Sequence, residues 1–339
     1  MGMIKLPNQS KNFFNENYLN IFESGNLAEG EWNRKVSEWA CKYTSSDYAL
    51  AVNSNGSGIY TILRLLKEYR FKKKVFLQSN TMYGVKTIAI SSGLDLCGYV
   101  DCGLDYLMPT YGQVKSFISK LSKPEDSVFL LTHIGGVVNP DIERIADLCK
   151  NSGVALVEDC AHSLGSTLSG KHTGLFGDAG VYSLYATKAI PVGEGGIVVT
   201  KDQELFNMVD KFIMYDRFDQ KLNVGINFRM SEINALLAFA VINETESIIE
   251  NKYLIANKYI KACRDFGWSY INPATGNQRS NLYKFILLSR NKNPVQDFHN
   301  IKTRTSPVYN YFLGDDKSEI IKRHICLPIW YGLEDSTVD

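Results

Sequence analysis

The chain has 339 residues, 45% hydrophobic and 22% charged, a composition typical of a globular protein with one large and one small domain. Its net charge of +1 predicts no nucleic-acid and no membrane partner, and its longest apolar run, 235–242, is too short to span a bilayer. An odd number of cysteines, seven, without a C-x-x-C pair indicates reduced thiols in the cytoplasm. The five histidines lack metal-ligand spacing, so no metal centre is predicted.

The predicted elements begin after a polar, asparagine-rich stretch, 1–24, which has no clear period and is interpreted as an arm packing on another surface. Strands are predicted at 48–52, 75–78, 96–100, 128–131, 155–157, 179–184 and 196–200. Helices are predicted at 31–43, 59–69, 84–91, 112–121, 141–151, 203–215 and 231–259. This alternation predicts an α/β fold, a three-layer sandwich with a mostly parallel sheet covered by helices.

Three regions follow from this pattern. Residues 1–24 form the predicted arm, 25–240 a large domain and 241–339 a smaller α/β C-terminal domain. The long helical pattern 231–259 would connect the two domains, and from about residue 260 short strands and helices are mixed.

A carboxylate lies at the end of a predicted apolar strand, because Asp159 comes just after 154–157. Ligands of open α/β sheets bind beyond the carboxyl ends of the strands. A carboxylate there can keep a pyridine nitrogen protonated, as pyridoxal phosphate (PLP) requires. Taken alone, Asp159 is better explained as a cap or turn residue, and His162 as a structural histidine.

A hydroxyl and an amine follow at Ser183 and Lys188. Small and apolar neighbours and a glycine-rich stretch, 193–196, surround the amine, and a partly desolvated lysine is a usable nucleophile towards an aldehyde. The turn containing Gly56 and Ser57 precedes a predicted helix and suits a phosphate, although a plain strand–helix turn explains it equally well. It lacks the dinucleotide fingerprint, which argues against a nicotinamide oxidoreductase.

Together these residues resemble the sugar aminotransferases of the DegT/StrS family, which are PLP enzymes of fold type I. The resemblance covers nearly the whole chain, from Ser24 to about Leu333. Its most specific block runs from Glu-Asp-Cys-Ala-His at 158–162 to Gly-Glu-Gly-Gly at 193–196. A second block, Gly-Ile-Asn-Phe-Arg-Met-Ser-Glu at 225–232, is similar to the family's G-x-N-x-R-M-x-E.

The resemblance implies a role for each site residue. Lys188 would hold PLP as a Schiff base and move the proton during catalysis, Asp159 would pair with the pyridine nitrogen, and His162 would lie beside the ring. The implied cofactor contacts come from Gly56, Ser57, Met82, Asp159, His162, Ser183 and Asn227, and the implied substrate contacts from Tyr83, Tyr185 and Arg229. Asn227 would reach the phosphate in a neighbouring subunit, so a homodimer with shared active sites is expected.

Two positions depart from the family pattern. Met82 follows Ser79-Asn80-Thr81 where the family has an aromatic residue over the ring, so either Met82 or Tyr83 would cover it. Tyr185-Ala186 replaces the family's His-Pro. Both departures lie on the substrate side and concern the substrate more than the cofactor.

The implied reaction is transamination. An amino acid, glutamate, would convert PLP to pyridoxamine phosphate, and a keto sugar linked to a nucleotide would accept the amine, for surface polysaccharide or secondary-metabolite synthesis. A smaller phosphorylated or acyclic ketone is an alternative acceptor. A same-family dehydratase is disfavoured because such enzymes carry histidine where Lys188 stands. A non-catalytic PLP-binding regulator is the alternative outside enzymes, but no basic face or DNA-binding segment is visible.

Overall fold

The computed structural model of the protein describes residues 4–215, 224–289, 306–314 and 318–334. Its helices are α1 (Asn8–Ser24), α2 (Glu31–Thr44), α3 (Asn55–Arg70), α4 (Tyr83–Ser91), α5 (Tyr111–Ile118), α6 (Ile142–Asn151), α7 (Gln203–Met214), α8 (Glu232–Ile242), α9 (Thr245–Phe266) and α10 (Ser318–Lys322). Its strands are β1 (Tyr48–Val52), β2 (Lys74–Gln78), β3 (Asp95–Val100), β4 (Ser127–Thr132), β5 (Ala155–Cys160), β6 (Thr167–Leu168), β7 (Lys171–His172), β8 (Ala179–Ser183), β9 (Gly196–Thr200), β10 (Ser269–Tyr270), β11 (Ala274–Thr275), β12 (Gln278–Arg279), β13 (Phe285–Leu288) and β14 (His324–Leu327).

The central sheet has seven strands in the order β1-β9-β8-β5-β4-β2-β3, and within it β9 alone runs antiparallel to its neighbours. Side chains alternate between its two faces. Tyr182 packs in a core with α1, α2 and α8, whereas its neighbour Val181 packs with α3 and α7. Helices therefore cover both faces, and the predicted three-layer α/β fold is confirmed.

The N-terminal stretch contains helix α1, which the sequence analysis did not predict, and its assignment as an arm stays a prediction. Helix α1 packs on its own chain: the ring of Phe13 lies 5.7 Å from Trp32 and 5.8 Å from Phe239, and Ile21 is buried. Gly25 then ends the helix with a φ of 68°, a left-handed conformation that glycine adopts without strain. Asparagine and lysine residues on the outer side of α1 conceal its apolar stripe in the sequence.

The predicted helix 231–259 is two helices. Helix α8 ends at Ile242 and α9 begins at Thr245, whose hydroxyl donates to the Ile242 carbonyl at 2.6 Å. The break lies in a polar stretch, 243–247, that contains neither glycine nor proline, so the sequence carries no helix-breaking residue there. The predicted domain boundary at 240 falls inside α8, and the domain division stays a prediction.

Beyond α9 the chain forms a second, antiparallel sheet in the order β10-β13-β14. Tyr259 of α9 packs against Phe285 of β13 and Ile325 of β14 in a separate core. A four-stranded sheet of hairpins, β11-β12-β6-β7, joins this part of the chain to the segment that follows β5. Within the described ranges, no helix combines the length and the apolar content that a bilayer crossing requires.

Candidate active site

A buried carboxylate marks the carboxyl edge of the central sheet. Asp159 of β5 is 2% exposed. Its Oδ1 accepts hydrogen bonds from the Ala161 N–H at 3.1 Å and the Asn55 amide at 3.2 Å, and its Oδ2 accepts one from the Thr132 hydroxyl at 3.2 Å. Burial raises the pKa of Asp159, while these donors and the Lys188 ammonium act in the opposite direction. The carboxylate is thus fixed in orientation and suited to a further charged donor.

Thr132, the last residue of β4, is itself fixed by Gln78 at the end of β2 and by Thr81 shortly after it. Its hydroxyl lies 2.7 Å from that of Thr81, and its N–H donates to Gln78 Oε1 at 3.1 Å. All three side chains are at most 1% exposed. A buried hydroxyl needs a partner, so this chain of bonds defines where the Thr132 hydroxyl points.

Glu158, one residue before Asp159, fastens a loop to β5. It is fully buried and accepts hydrogen bonds from the N–H groups of Gly174, Phe176 and Gly177 at 2.7–2.8 Å. His133 Nε2 lies 2.8 Å from its Oε2. Four partners occupy its two oxygens, so this carboxylate shapes the edge of the site and is not available to a ligand.

His162 is a neutral imidazole held between tyrosines. It is 5% exposed, and its ring centroid lies 4.4 Å from that of Tyr283 and 6.0 Å from that of Tyr309. Its Nδ1 accepts from the Gly135 N–H at 3.3 Å, so the ring proton is assigned to Nε2, which faces the Tyr309 hydroxyl at 3.4 Å. Burial, followed by the charge of Lys188, holds the pKa of His162 well below its usual range.

Lys188 lies in a tight turn after β8. Its N–H donates to the Tyr185 carbonyl at 2.9 Å, and the Tyr185 N–H donates to the Ser183 hydroxyl at 3.3 Å. The Lys188 amine lies 5.2 Å from the centre of the Tyr283 ring, the same ring that contacts His162. Lys188 and His162 therefore lie in one site around the Tyr283 ring. Asp159 belongs to the same site, because the charge of Lys188 acts to lower its pKa.

The N-terminus of α3 reaches the same edge. Its first residue, Asn55, bonds both Asp159 and the Val181 carbonyl, the latter at 2.8 Å. Ser54 caps the helix: its hydroxyl accepts from the Ser57 N–H at 3.1 Å, and the Ser57 hydroxyl in turn accepts from the Ser54 N–H at 3.2 Å. The N–H groups of Asn55 and Gly56 belong to the first turn, which lacks intrahelical acceptors and attracts anions.

Close packing around this helix end depends on glycine. A Cβ at Gly196 of β9 would lie 2.6 Å from the Ser54 carbonyl carbon, and one at Gly58 would lie 2.7 Å from Val181. Real Cβ atoms do not approach so closely. Glycine therefore lets α3 begin directly against the sheet, beside Asp159.

Met82, a predicted cofactor residue, precedes α4, and Tyr83, a predicted substrate residue, begins that helix and connects to the site through two further tyrosines. Met82 and Tyr83 are 45% and 55% exposed. The Tyr83 N–H donates to the Tyr311 hydroxyl at 2.8 Å, and the Tyr311 ring lies 5.7 Å from that of Tyr309. Tyr185, which is 44% exposed, belongs to the turn that carries Lys188.

Asn227 and Arg229 have other partners within one subunit. Asn227 is exposed, and its side-chain oxygen accepts from the Arg229 N–H at 3.3 Å. The Arg229 guanidinium pairs with Glu29 at 2.5 Å, donates to the Ile213 carbonyl at 3.1 Å and lies 5.1 Å from the Tyr215 ring. Their contacts with a neighbouring subunit's site stay a prediction.

Sequence reasoning missed four residues that form the site: Asn55, Thr132, Tyr283 and Tyr309. Asn55 lies in the glycine-rich turn discussed above, and its position next to Gly56 was the one sequence signal for it. Tyr283 and Tyr309 lie more than 90 positions after Lys188, in stretches without a motif. Asn281 places the first of them, because its amide donates to the carbonyls of His162 and Leu164 at 2.9 Å.

These groups fit PLP. A buried carboxylate suits a pyridine N–H, the helix N-terminus that contacts it suits a phosphate, and a lysine amine that interacts with the same carboxylate suits an aldehyde. The fit rests on the donor set found here, in particular on Asp159, whose three described bonds all come from neutral donors.

Solved structures share this fold. A DegT/DnrJ/EryC1/StrS aminotransferase from Brucella abortus is 19% identical with a TM-score of 0.87, over 100% of this chain and 96% of that one. PseC from Helicobacter pylori, an aminotransferase involved in the biosynthesis of pseudoaminic acid, is 20% identical with a TM-score of 0.85, over 99% and 94% of the two chains. The sugar aminotransferase candidate Spr1654 from Streptococcus pneumoniae, in its PLP form, is 17% identical with a TM-score of 0.85, over 99% and 94%.

At these identities the solved structures support the fold, and membership rests on the sequence itself. The model of the DegT/DnrJ/EryC1/StrS aminotransferase family matches residues 8–339. This match confirms the resemblance seen in the motifs around Asp159, Lys188 and Arg229. The chain belongs to the DegT/DnrJ/EryC1/StrS aminotransferase family, whose members use PLP.

Proposed function

We propose that the protein transfers the amino group of an amino acid, glutamate, to a keto sugar linked to a nucleotide. The observation that carries this proposal is the placement of the Lys188 amine and the buried Asp159 carboxylate at one sheet edge, joined by Tyr283 and His162. Family membership and the likeness to PseC, an aminotransferase involved in the biosynthesis of pseudoaminic acid, support a sugar acceptor.

Each group at the edge would hold one part of the cofactor. Asp159, oriented by Asn55 and Thr132, would pair with the pyridine nitrogen. The first-turn N–H groups at Gly56, with Ser57 and Ser183, would hold the phosphate, and Lys188 would hold the aldehyde carbon. The bound cofactor supplies the electron sink that stabilises negative charge on the substrate carbon.

The residues around Lys188 suit it to proton transfer. Its amine lies over the Tyr283 face. His162 is held neutral by burial, so it adds no positive charge beside that amine. The Lys188 amine can therefore take a proton from the substrate carbon and return it, which is the general-base role that the reaction needs.

We further propose a homodimer in which Asn227 completes the neighbouring site. Exposed apolar side chains surround the segment that carries it: Leu27, Ile226 and Ile233 are 59%, 39% and 37% exposed. Such a patch on a monomer would be unfavourable in water and is typical of an interface. Lys188→Ala and Asn227→Ala variants, each inactive alone, should regain activity when mixed, since one site of the mixed dimer is intact. Persistent inactivity of a mixed dimer verified by mass would contradict the shared site.

The experiment that tests the reaction is a screen of nucleotide-linked keto sugars with ¹⁵N-glutamate as donor. We expect the label in the sugar product, and we expect glutamate alone to change the visible absorption of the bound cofactor. Lys188→Ala should abolish both, while Lys201→Ala, which removes an exposed lysine, should retain both. Label transfer by Lys188→Ala at the wild-type rate would refute the mechanism. Loss of a sugar hydroxyl without label transfer would instead indicate a dehydratase, and transfer only to small ketones would refute the sugar acceptor.

A further inference from the structure

A cavity of about 360 Å³ opens beside Lys188, between the turn at 187–191 and the segment 326–331 that follows from β14. Residues of α9 and of the 283–284 stretch close its inner side. It shares Lys188 and Tyr283 with the site described above, so a molecule in this cavity can reach the reactive amine.

The lining of this cavity is cationic. Among the described residues that line it are four lysines, Lys5, Lys188, Lys252 and Lys284, and no aspartate or glutamate. Lys5 lies at the rim and pairs with Glu334 at 3.2 Å, and Lys188 is committed to the cofactor under the proposed function. The remaining two ammonium groups, those of Lys252 and Lys284, thus give the cavity its unbalanced positive charge.

Lys252 is the unusual member, because it is only 3% exposed. Its ammonium donates to the Ala189 carbonyl at 3.1 Å. Burial, followed by the charge of Lys284, lowers the pKa of Lys252 to about 7, and no carboxylate of the described residues opposes that shift. A buried ammonium with three donors and a single described acceptor is costly unless something else compensates it.

We infer that this cavity binds an anionic oxygen group of a substrate, with Lys252 and Lys284 as the residues that select it. The inference rests on the proposed function and extends it by naming a subsite. Two sources share this chemistry: the distal carboxylate of a dicarboxylic amino donor and the phosphates of a nucleotide-linked acceptor. Both would bring anionic oxygens to these ammonium groups, of which that of Lys252 is buried, and charge-assisted hydrogen bonds of this kind are strong.

Calorimetric titration of the protein in its cofactor-loaded form tests the subsite without turnover. The probes are glutarate, an unreactive dicarboxylate, and inorganic pyrophosphate. We expect one of them to bind, and Lys252→Met and Lys284→Met each to weaken its affinity about tenfold or more, because hydrogen bonds to charged groups contribute roughly 1.5–3 kcal/mol. Lys261→Met, which removes an exposed lysine from the same helix as Lys252, should leave the affinity unchanged.

The bond from Lys252 to Ala189 offers a structural alternative, in which Lys252 only holds the turn that carries Lys188. Lys252→Arg and Lys284→Met separate the two roles, since the first keeps the charge and the second leaves the Ala189 bond intact. Rescue of binding by Lys252→Arg, together with loss in Lys284→Met at unchanged thermal stability, supports the subsite. Loss of stability in Lys252→Met with unchanged probe affinity in Lys284→Met would overturn it.

Steady-state kinetics identifies the source. If the subsite serves the donor, glutarate competes with glutamate and Lys284→Met raises the KM for glutamate. If it serves the acceptor, pyrophosphate competes with the nucleotide-linked substrate and the KM for that substrate rises. Failure of both probes to bind refutes the subsite. If the probes bind in a way that depends on Lys252 and Lys284 but the protein does not aminate any sugar, the proposed acceptor is refuted and the subsite is still supported.

Discussion

Replacing Glu158 with glutamine should destabilise the fold strongly, although the change adds no volume and removes only a charge. Its Oε1 accepts from the N–H groups of Phe176 and Gly177, and its Oε2 accepts from that of Gly174 and faces His133 Nε2. A glutamine amide presents one oxygen and one NH₂ group. In either orientation two of these donors therefore meet the NH₂ group and lose their acceptor.

The imidazole cannot relieve this conflict by changing its tautomer. His133 Nδ1 accepts from the Asn139 N–H at 3.1 Å, so the ring proton lies on Nε2 and points at Glu158. Hydrogen bonds to a charged group contribute about 1.5–3 kcal/mol each, and two lost bonds in a fully buried site give an expected loss of about 3–5 kcal/mol in the free energy of unfolding.

Urea unfolding followed by circular dichroism measures this loss. Glu250→Gln, an exposed position on α9, is the matched control and should change stability by less than about 0.5 kcal/mol. A loss below about 1 kcal/mol for Glu158→Gln would refute the idea that this carboxylate fastens the 174–177 loop to β5.

Two further variants test the charges of the site. Lys252→Met should remove a pH dependence of stability. The pKa of Lys252 is about 7 in the folded protein, against 10.5 for an ordinary lysine. Burial of the ammonium therefore destabilises the fold fully below pH 7, and this destabilisation is lost as pH rises towards 10.5. Between pH 7 and pH 9, the free energy of unfolding of the wild type, measured in urea, should therefore rise by about 2–3 kcal/mol relative to that of the variant. A difference between the two proteins that is constant with pH would contradict this. Thr132→Val should weaken PLP binding more at acidic than at neutral pH, because it removes a bond that lowers the pKa of Asp159, and Thr132→Ser should restore binding. Equal weakening at every pH, measured by cofactor fluorescence, would show that the hydroxyl does not act through the carboxylate.

Much of the fold follows from local patterns. The apolar runs that become β1, β2, β4, β5 and β9 are short and continuous, as strands buried on both faces require, and their positions agree with the predicted ones to within a few residues. Helix α1 was missed because its apolar stripe lies among asparagines of low helix propensity. The break at Asn243 and Glu244 was missed because the polar stretch around it contains neither glycine nor proline to mark a helix end.

Some residues of the site could be predicted from local motifs, and others could not. Asp159, His162 and Lys188 could be predicted because each occurs in a local motif at a strand end or in the turn that follows it. Tyr283 and Tyr309 reach His162 only through tertiary packing of the second sheet and the 306–314 segment, which a local pattern does not encode. The burial of Lys252 could not be predicted either, since a buried lysine on α9 is indistinguishable in sequence from the exposed lysines of the same helix.

The most direct test concerns which lysine holds the cofactor. Borohydride treatment of the PLP-loaded protein fixes the cofactor to the amine that binds it, and peptide mass spectrometry then locates the added phosphopyridoxyl group. We expect the group on Lys188 alone, although Lys252 and Lys284 line the same cavity. Modification of either of those lysines in place of Lys188, or of none of the three, would contradict the central claim that Lys188 is the catalytic amine.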